Sequence, residues 1–130
     1  MAPQEPAIAG KSALVLDDEF LIALDIQQLL ETAGAANVTC TGNAADALKA
    51  IQEPQKFDFA VLDYRLDGVT SSLDVADALV AARIPFVFLT GMRGDKQMRD
   101  KYPDVPLVEK PYEAKLLMEA IVRALASAGK

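Results

Sequence analysis

Four short apolar runs, each closed by a polar or charged residue, constrain the fold of this chain more than any other feature. Ser12-Ala-Leu-Val-Leu16 runs into Asp17, and Phe57-Asp-Phe-Ala-Val-Leu62 into Asp63. Phe86-Val-Phe-Leu89 runs into Thr90, and Val105-Pro-Leu-Val108 into Glu109 and Lys110. Runs this short and this apolar suit strands covered on both faces, as in a parallel sheet. Asn37-Val-Thr-Cys-Thr41, rich in β-branched residues, is a weaker fifth strand.

Helical patterns separate the runs. Phe20, Leu21, Ala23, Leu24, Ile26, Leu29 and Leu30 recur at three- and four-residue spacing, and Gly34 stands where that helix should stop. Ala44, Ala47, Leu48 and Ile51 follow Asn43, a suitable cap, and end before Pro54. Leu73, Ala76, Leu79 and Val80 form a third helix with Ser71 or Ser72 as cap. Leu116, Leu117, Ala120, Ile121, Ala124 and Leu125 form the last. Gly91 to Pro103 should hold one more, but only Met92, Met98 and Tyr102 are there to bury, which predicts a short or irregular helix. Strands alternating with helices indicate an α/β fold with a parallel sheet. The 130 residues are one domain's worth of chain, expected as a flexible tail over 1–10 and a single domain over 11–130 with no output domain after it.

In such a sheet, ligands gather beyond the carboxyl ends of the strands. Asp17-Asp18-Glu19, Asp63, Thr90 and Lys110 all stand at such ends, and right-handed crossovers bring them to one edge. Asp17, Asp18 and Asp63 would crowd their carboxylates, each raising the others' pKa unless a cation neutralises them. All-oxygen ligands suit a hard cation, Mg²⁺ or Mn²⁺, held together with water and a substrate phosphate. Lys110 offers a mobile positive charge for a phosphoryl oxygen. Thr90 offers a hydroxyl, and Gly91 leaves room for an approaching group. A carboxylate beside such a metal is a competent nucleophile on phosphorus, forming an acyl phosphate.

Taken together, Leu-Val-Leu-Asp17-Asp18-Glu19, Ala-Val-Leu-Asp63, Phe-Leu-Thr90-Gly91 and Glu109-Lys110-Pro111 make the chain resemble the receiver domains of bacterial two-component response regulators. The resemblance runs from about residue 11 to 126. It implies a flavodoxin-like, doubly wound five-stranded parallel sheet of order 2-1-3-4-5 with five helices. It implies that Asp63 is the phosphoacceptor, that Asp18 binds Mg²⁺ directly, and that Asp17 acts mainly through water. The backbone carbonyl of Arg65 would complete the metal shell, and Thr90 and Lys110 would contact the phosphoryl group. A cis bond before Pro111 is implied as well. Ile84 to Gly91 is similar, more narrowly, to single-domain receivers whose fourth strand ends Phe-x-Thr-Gly. The family's switch aromatic falls at Leu107, which is not aromatic here. Arg65, Gly91, Met92 and Leu107 are the expected modulators of phosphoryl lifetime and signalling. The partners implied are a sensor histidine kinase or histidine phosphotransfer protein, and a downstream protein effector.

Composition narrows the role. The net charge of −6 argues against binding phosphate backbones, which needs a basic face. With no histidine in the chain, a histidine-ligated metal, a histidine-activated nucleophile and a phosphohistidine donor role are excluded. Cys40, the one cysteine, excludes an internal disulfide and is expected as a buried small hydrophobe. Neither a secretory leader nor an apolar stretch of roughly 20 residues is present, so a cytoplasmic protein without membrane contact is expected. The chain reads as a signalling module that catalyses only its own phosphorylation and dephosphorylation, as shuttle, sink or gated partner. Two alternatives stand beside it: a pseudo-receiver that binds partners regardless of phosphorylation, and a small Asp-nucleophile phosphohydrolase.

Overall fold

The computed structural model describes residues 8–53, 57–66, 70–91 and 96–128. In chain order the elements are β1 Ser12–Leu16, α1 Phe20–Thr32, β2 Asn37–Thr41, α2 Ala44–Gln52, β3 Phe59–Asp63, β4 Arg65–Leu66, β5 Thr70–Ser71, α3 Leu73–Ala81, β6 Phe86–Thr90, α4 Lys96–Lys101, β7 Leu107–Glu109 and α5 Ala114–Ala128. Five strands build one sheet in the order β2-β1-β3-β6-β7, and each neighbouring pair is parallel. Setting aside the antiparallel pair β4 and β5, this is the 2-1-3-4-5 order.

The central strands are apolar throughout because each of their faces is covered. Side chains alternate between faces along a strand. Val15, Val61, Val87 and Leu89 pack on one side with Ala23, Ile26 and Leu30 of α1 and Leu117, Ile121 and Ala124 of α5. Leu14, Leu16, Leu62, Phe86 and Phe88 pack on the other with Ala47 of α2, Val75 and Leu79 of α3, and Met98 of α4. A run with no polar alternation is what such a sandwiched strand requires.

Local signals set the helix ends. Asn43 caps α2, its side chain accepting a 2.8 Å hydrogen bond from the Asp46 amide. Gly34 follows α1 at φ +104°, where a Cβ would also stand 3.2 Å from the Cα of Ala9. Ser72 is the N-cap of α3, but its side chain makes no capping bond. α4 has six residues, as its sequence predicts, and Met98 is buried in it.

Several expectations are corrected. The flexible tail cannot extend to residue 10: Ile8 is completely buried in the core, and the Gly10 amide donates to Gly34 O at 2.8 Å. Residues 1–7 lie outside the described residues. Phe20 and Leu21 are not core; each is 75% exposed in the first turn of α1. Val80 and Leu116 are likewise exposed. Cys40 is exposed, because β2 is an edge strand, and it is not the buried hydrophobe expected.

Candidate functional site

Three strand ends and one loop converge at the carboxyl edge of the sheet. β1 ends one residue before Asp17, whose amide continues the ladder by donating to Thr41 O at 3.1 Å. Asp17 is 2% exposed. Its Oδ1 accepts the Glu19 amide at 2.9 Å, turning the chain into α1. Asp17 therefore fixes a helix entry and still presents its second oxygen to the site. Asp63 closes β3 and is 4% exposed. Thr90 closes β6, equally buried, one residue beyond the Asp63↔Leu89 pair. Its carbonyl accepts the Lys110 amide at 2.7 Å, which anchors the loop after β7.

Lys110 reaches back across this edge. Its Nζ lies 3.1 Å from Asp17 Oδ2 and 3.2 Å from Asp63 Oδ2. Carboxylate oxygens of Asp17, Asp18 and Asp63 all lie within 4.8 Å of one another, Asp18 being the exposed member. Burial and neighbouring charge push the Asp63 carboxyl up to about 7. Burial is the largest cause; the charge of Asp17 adds to it, Lys110 opposes it, and Asp18 adds a little more. Burial pulls the Lys110 ammonium down, but hydrogen bonds and charges from Asp17 and Asp63 together hold it above its ordinary value.

This donor set fits a hard divalent cation. Three oxygen ligands of one sign stand close together, two of them almost dry, and one lysine does not balance them. Chemically, the site offers a buried carboxylate able to act as a nucleophile, a neighbouring fixed cation, and acidic oxygens that could hold a metal beside it.

The structure thus brings together Asp17, Asp18, Asp63 and Lys110, and places Thr90 beside them at the same sheet edge. The Lys110–Pro111 bond is cis. A Cβ added at Gly91 would meet nothing within 4 Å, so the space expected there is present. Arg65 lies in β4, one residue past Tyr64. Met92 lies outside the described residues. Leu107 pairs with Phe88 across β6 and β7 and packs against the core.

Two features near the site had no sequence signal. The Tyr112 hydroxyl donates to Asp25 Oδ2 on α1, and the Tyr102 hydroxyl donates to Asp77 Oδ1 on α3. Tyr64, directly after Asp63, is buried with its ring edge-on to Phe88, centroids 5.8 Å apart. Phe88 in turn lies beside Phe86 and Tyr102.

Comparison with known proteins agrees with this geometry. The family model described as "response regulator receiver domain" matches residues 13–122. The solution structure of SdrG from Pseudomonas melonis Fr1, in a BeF3-activated conformation, is 33% identical with a TM-score of 0.74. The match covers 90% of this chain and 98% of that one. A response regulator receiver protein from Sinorhizobium medicae is 24% identical with a TM-score of 0.79, covering 92% and 97% of the two chains. The phyllosphere-induced regulator PhyR of Methylorubrum extorquens is 26% identical over 113 residues, 86% of this chain and 42% of PhyR. The chain therefore spans less than half the length of that curated relative.

Proposed function

The chain belongs to the response regulator receiver family, and from that premise we propose that it accepts a phosphoryl group on Asp63 from a histidine kinase or histidine phosphotransfer protein. The observation that carries this reading is the contact of Lys110 Nζ with both Asp17 Oδ2 and Asp63 Oδ2 at 3.1 and 3.2 Å. It assembles nucleophile, acidic pair and cation at one strand edge. SdrG, 33% identical, is a receiver for which a BeF3-activated conformation is known, which supports the same chemistry here.

Asp63 attacks as the carboxylate. One of its oxygens forms the new bond to phosphorus in line with the leaving nitrogen of the donor's phosphohistidine. The phosphorus–nitrogen bond breaks and its electron pair leaves with the imidazole. Lys110, positive throughout, opposes the rise in the Asp63 pKa and faces the developing phosphoryl charge. Thr90 donates its hydroxyl to a phosphoryl oxygen once the group is in place, a charge-assisted contact. Asp17, Asp18, Asp63 and the Arg65 carbonyl would hold Mg²⁺ or Mn²⁺, which would supply positive charge against the crowded carboxylates and the phosphoryl oxygens. Water then attacks the phosphorus, the bond to the Asp63 oxygen breaks, and inorganic phosphate leaves with the carboxylate restored.

The role is signalling through protein contacts, as shuttle, sink or phosphorylation-gated partner in the cytoplasm. Among the described residues no helix is long and apolar enough to cross a membrane. The anti-anti-sigma factor PhyR from Bartonella quintana is a chain of which this one covers 49%. Only a receiver's role is assigned here. The pseudo-receiver reading draws on two observations, the aliphatic Leu107 at the switch position and the six-residue α4.

Intact-mass spectrometry after incubation with Mg²⁺ and acetyl phosphate tests the proposal. Gain of one phosphoryl group by the wild type, and none by Asp63→Asn, is expected, with Asp58→Asn behaving as wild type. If the wild type gains nothing from acetyl phosphate or from a phosphorylated histidine phosphotransfer protein, the pseudo-receiver stands instead.

A further inference from the structure

Two side-chain contacts span the same two segments of the chain. Lys110 holds Asp17 across 93 residues of sequence, and Tyr112 holds Asp25 across 87. Asp17 leads into α1 through its bond to the Glu19 amide, and Asp25 lies on that helix. Lys110 and Tyr112 flank Pro111 in the loop between β7 and α5. The second contact therefore closes a ring: Asp17, α1, Asp25, Tyr112, Lys110 and back to Asp17.

From this we propose that Tyr112, through its hydroxyl on Asp25, is a positioning residue that keeps the Lys110 ammonium aimed at Asp17 and Asp63. Lysine has a long, flexible stem with several rotatable bonds. Its head is held by two carboxylates that a bound metal would also engage, so its own contacts do not secure it during the reaction. What remains is the loop. One side of the loop is fixed by the Lys110 amide on Thr90 O at 2.7 Å. The other is fixed by Tyr112, whose ring packs on the core face shared by α1 and α5 and whose hydroxyl reaches α1. Release of that hydroxyl leaves the ring packed but lets the loop shift relative to α1, and with α1 the acidic pair. A displacement of a fraction of an ångström at a charged group is enough to weaken transfer.

The proposal rests on the phosphoacceptor reading of Asp63, and its test separates the two. Tyr112→Phe keeps the ring and removes only the hydroxyl. The initial rate of phosphorylation by acetyl phosphate is expected to fall about fivefold, with the Mg²⁺ concentration for half-maximal rate unchanged. Asp25→Ala should reproduce that loss. In a Lys110→Ala background, Tyr112→Phe should cost nothing further. An undiminished rate in Tyr112→Phe, or an equal fold-loss in both backgrounds, overturns the proposal. The second readout needs no phosphorylation: the ¹⁵N-lysine ammonium signal of Lys110, assigned by its disappearance in Lys110→Arg. Tyr112→Phe should broaden it through faster exchange with water. If the wild type takes no phosphoryl group, the functional reading fails, and this signal alone decides; a signal unaltered in Tyr112→Phe refutes the positioning role.

Discussion

The ammonium of Lys110 stands 3.2 Å from Oδ2 of Asp63 before any phosphoryl group arrives. The residue proposed to face transferred charge is therefore already an ion-pair partner of the proposed nucleophile. With its side chain 16% exposed against 6% for Asp63, the pair is only partly screened. Lys110→Ala is expected to lower the rate of phosphorylation by acetyl phosphate about a hundredfold, the usual consequence of removing one preorganised donor to developing charge. Quench-flow or time-resolved mass measurement gives the rate. A loss below threefold would mean that the lysine is structural and not part of the transfer site.

The titration of Asp63 predicts how stability follows pH. Its carboxyl moves from an ordinary 3.8 up to about 7 in the fold. Between those values the native chain keeps a proton that the unfolded chain has released. The stability that Asp63 contributes to the metal-free protein is therefore full below about pH 4 and is lost as pH rises through about 7. Mg²⁺ should flatten this slope, because the cation favours the charged carboxylate. Asp63→Asn should remove it and raise the metal-free midpoint at pH 8 by about a few degrees. Thermal unfolding in EDTA and in excess Mg²⁺, from pH 4 to 8, is the measurement. A wild-type midpoint in EDTA that does not fall relative to that of Asp63→Asn as pH rises across that window would contradict the assignment.

Metal binding should divide the three carboxylates. Asp17 is almost fully buried and also holds the Glu19 amide, whereas Asp18 is exposed. Asp18→Asn is expected to weaken Mg²⁺ binding by at least about tenfold with little change in the unfolding midpoint. Asp17→Asn should weaken binding and destabilise as well, because it disturbs the entry to α1. Calorimetric titration with Mg²⁺ beside thermal unfolding resolves the two. Equal destabilisation by both substitutions would show that Asp17 has no separate structural duty.

Much of this was readable in the chain because the sheet is sandwiched. A strand buried on both faces has no polar interruption, so its first polar residue marks the strand end, as at Asp17 and Asp63, and strand ends are where the chemistry lies. Helix periodicity told less. It groups Phe20 and Leu21 with Ala23 and Ile26, yet both side chains in the first turn of α1 lie in solvent. Ile8 precedes the first strand with no pattern around it, and its place in the core goes with long-range backbone bonds of its segment, Gly10 to Gly34 and Ala36 to Lys11. β4 and β5 have two residues each, too few for alternation to register. The Tyr112–Asp25 and Tyr102–Asp77 contacts join residues 87 and 25 positions apart. Such pairs follow from tertiary placement, and no local propensity announces them.

The last prediction concerns α4, whose attachment to the rest of the fold is slender. Of its described side chains only Met98 is buried. Beyond its end, Tyr102 sets its ring against Phe86 with centroids 5.7 Å apart and gives its hydroxyl to Asp77 on α3. Lys101 adds a 2.9 Å contact to the same carboxylate. Together these bonds hold the Asp77 carboxyl below its ordinary value, Lys101 first and Tyr102 second. Being exposed, the Lys101 pair contributes little, so the hydroxyl and ring of Tyr102 are the main tether. Tyr102→Phe removes the hydroxyl alone. Amide exchange over residues 96–101 should quicken roughly fivefold while exchange in β1 and β3 stays as it was, and the Asp77 carboxyl should titrate nearer its ordinary value. Phe88 connects this tether to Tyr64, the residue after Asp63. Beryllofluoride with Mg²⁺ should therefore change exchange over the same residues in the wild type. If α4 exchanges at the same rate in wild type, in Tyr102→Phe and with beryllofluoride, then Tyr102 does not tether it and α4 does not respond to the site.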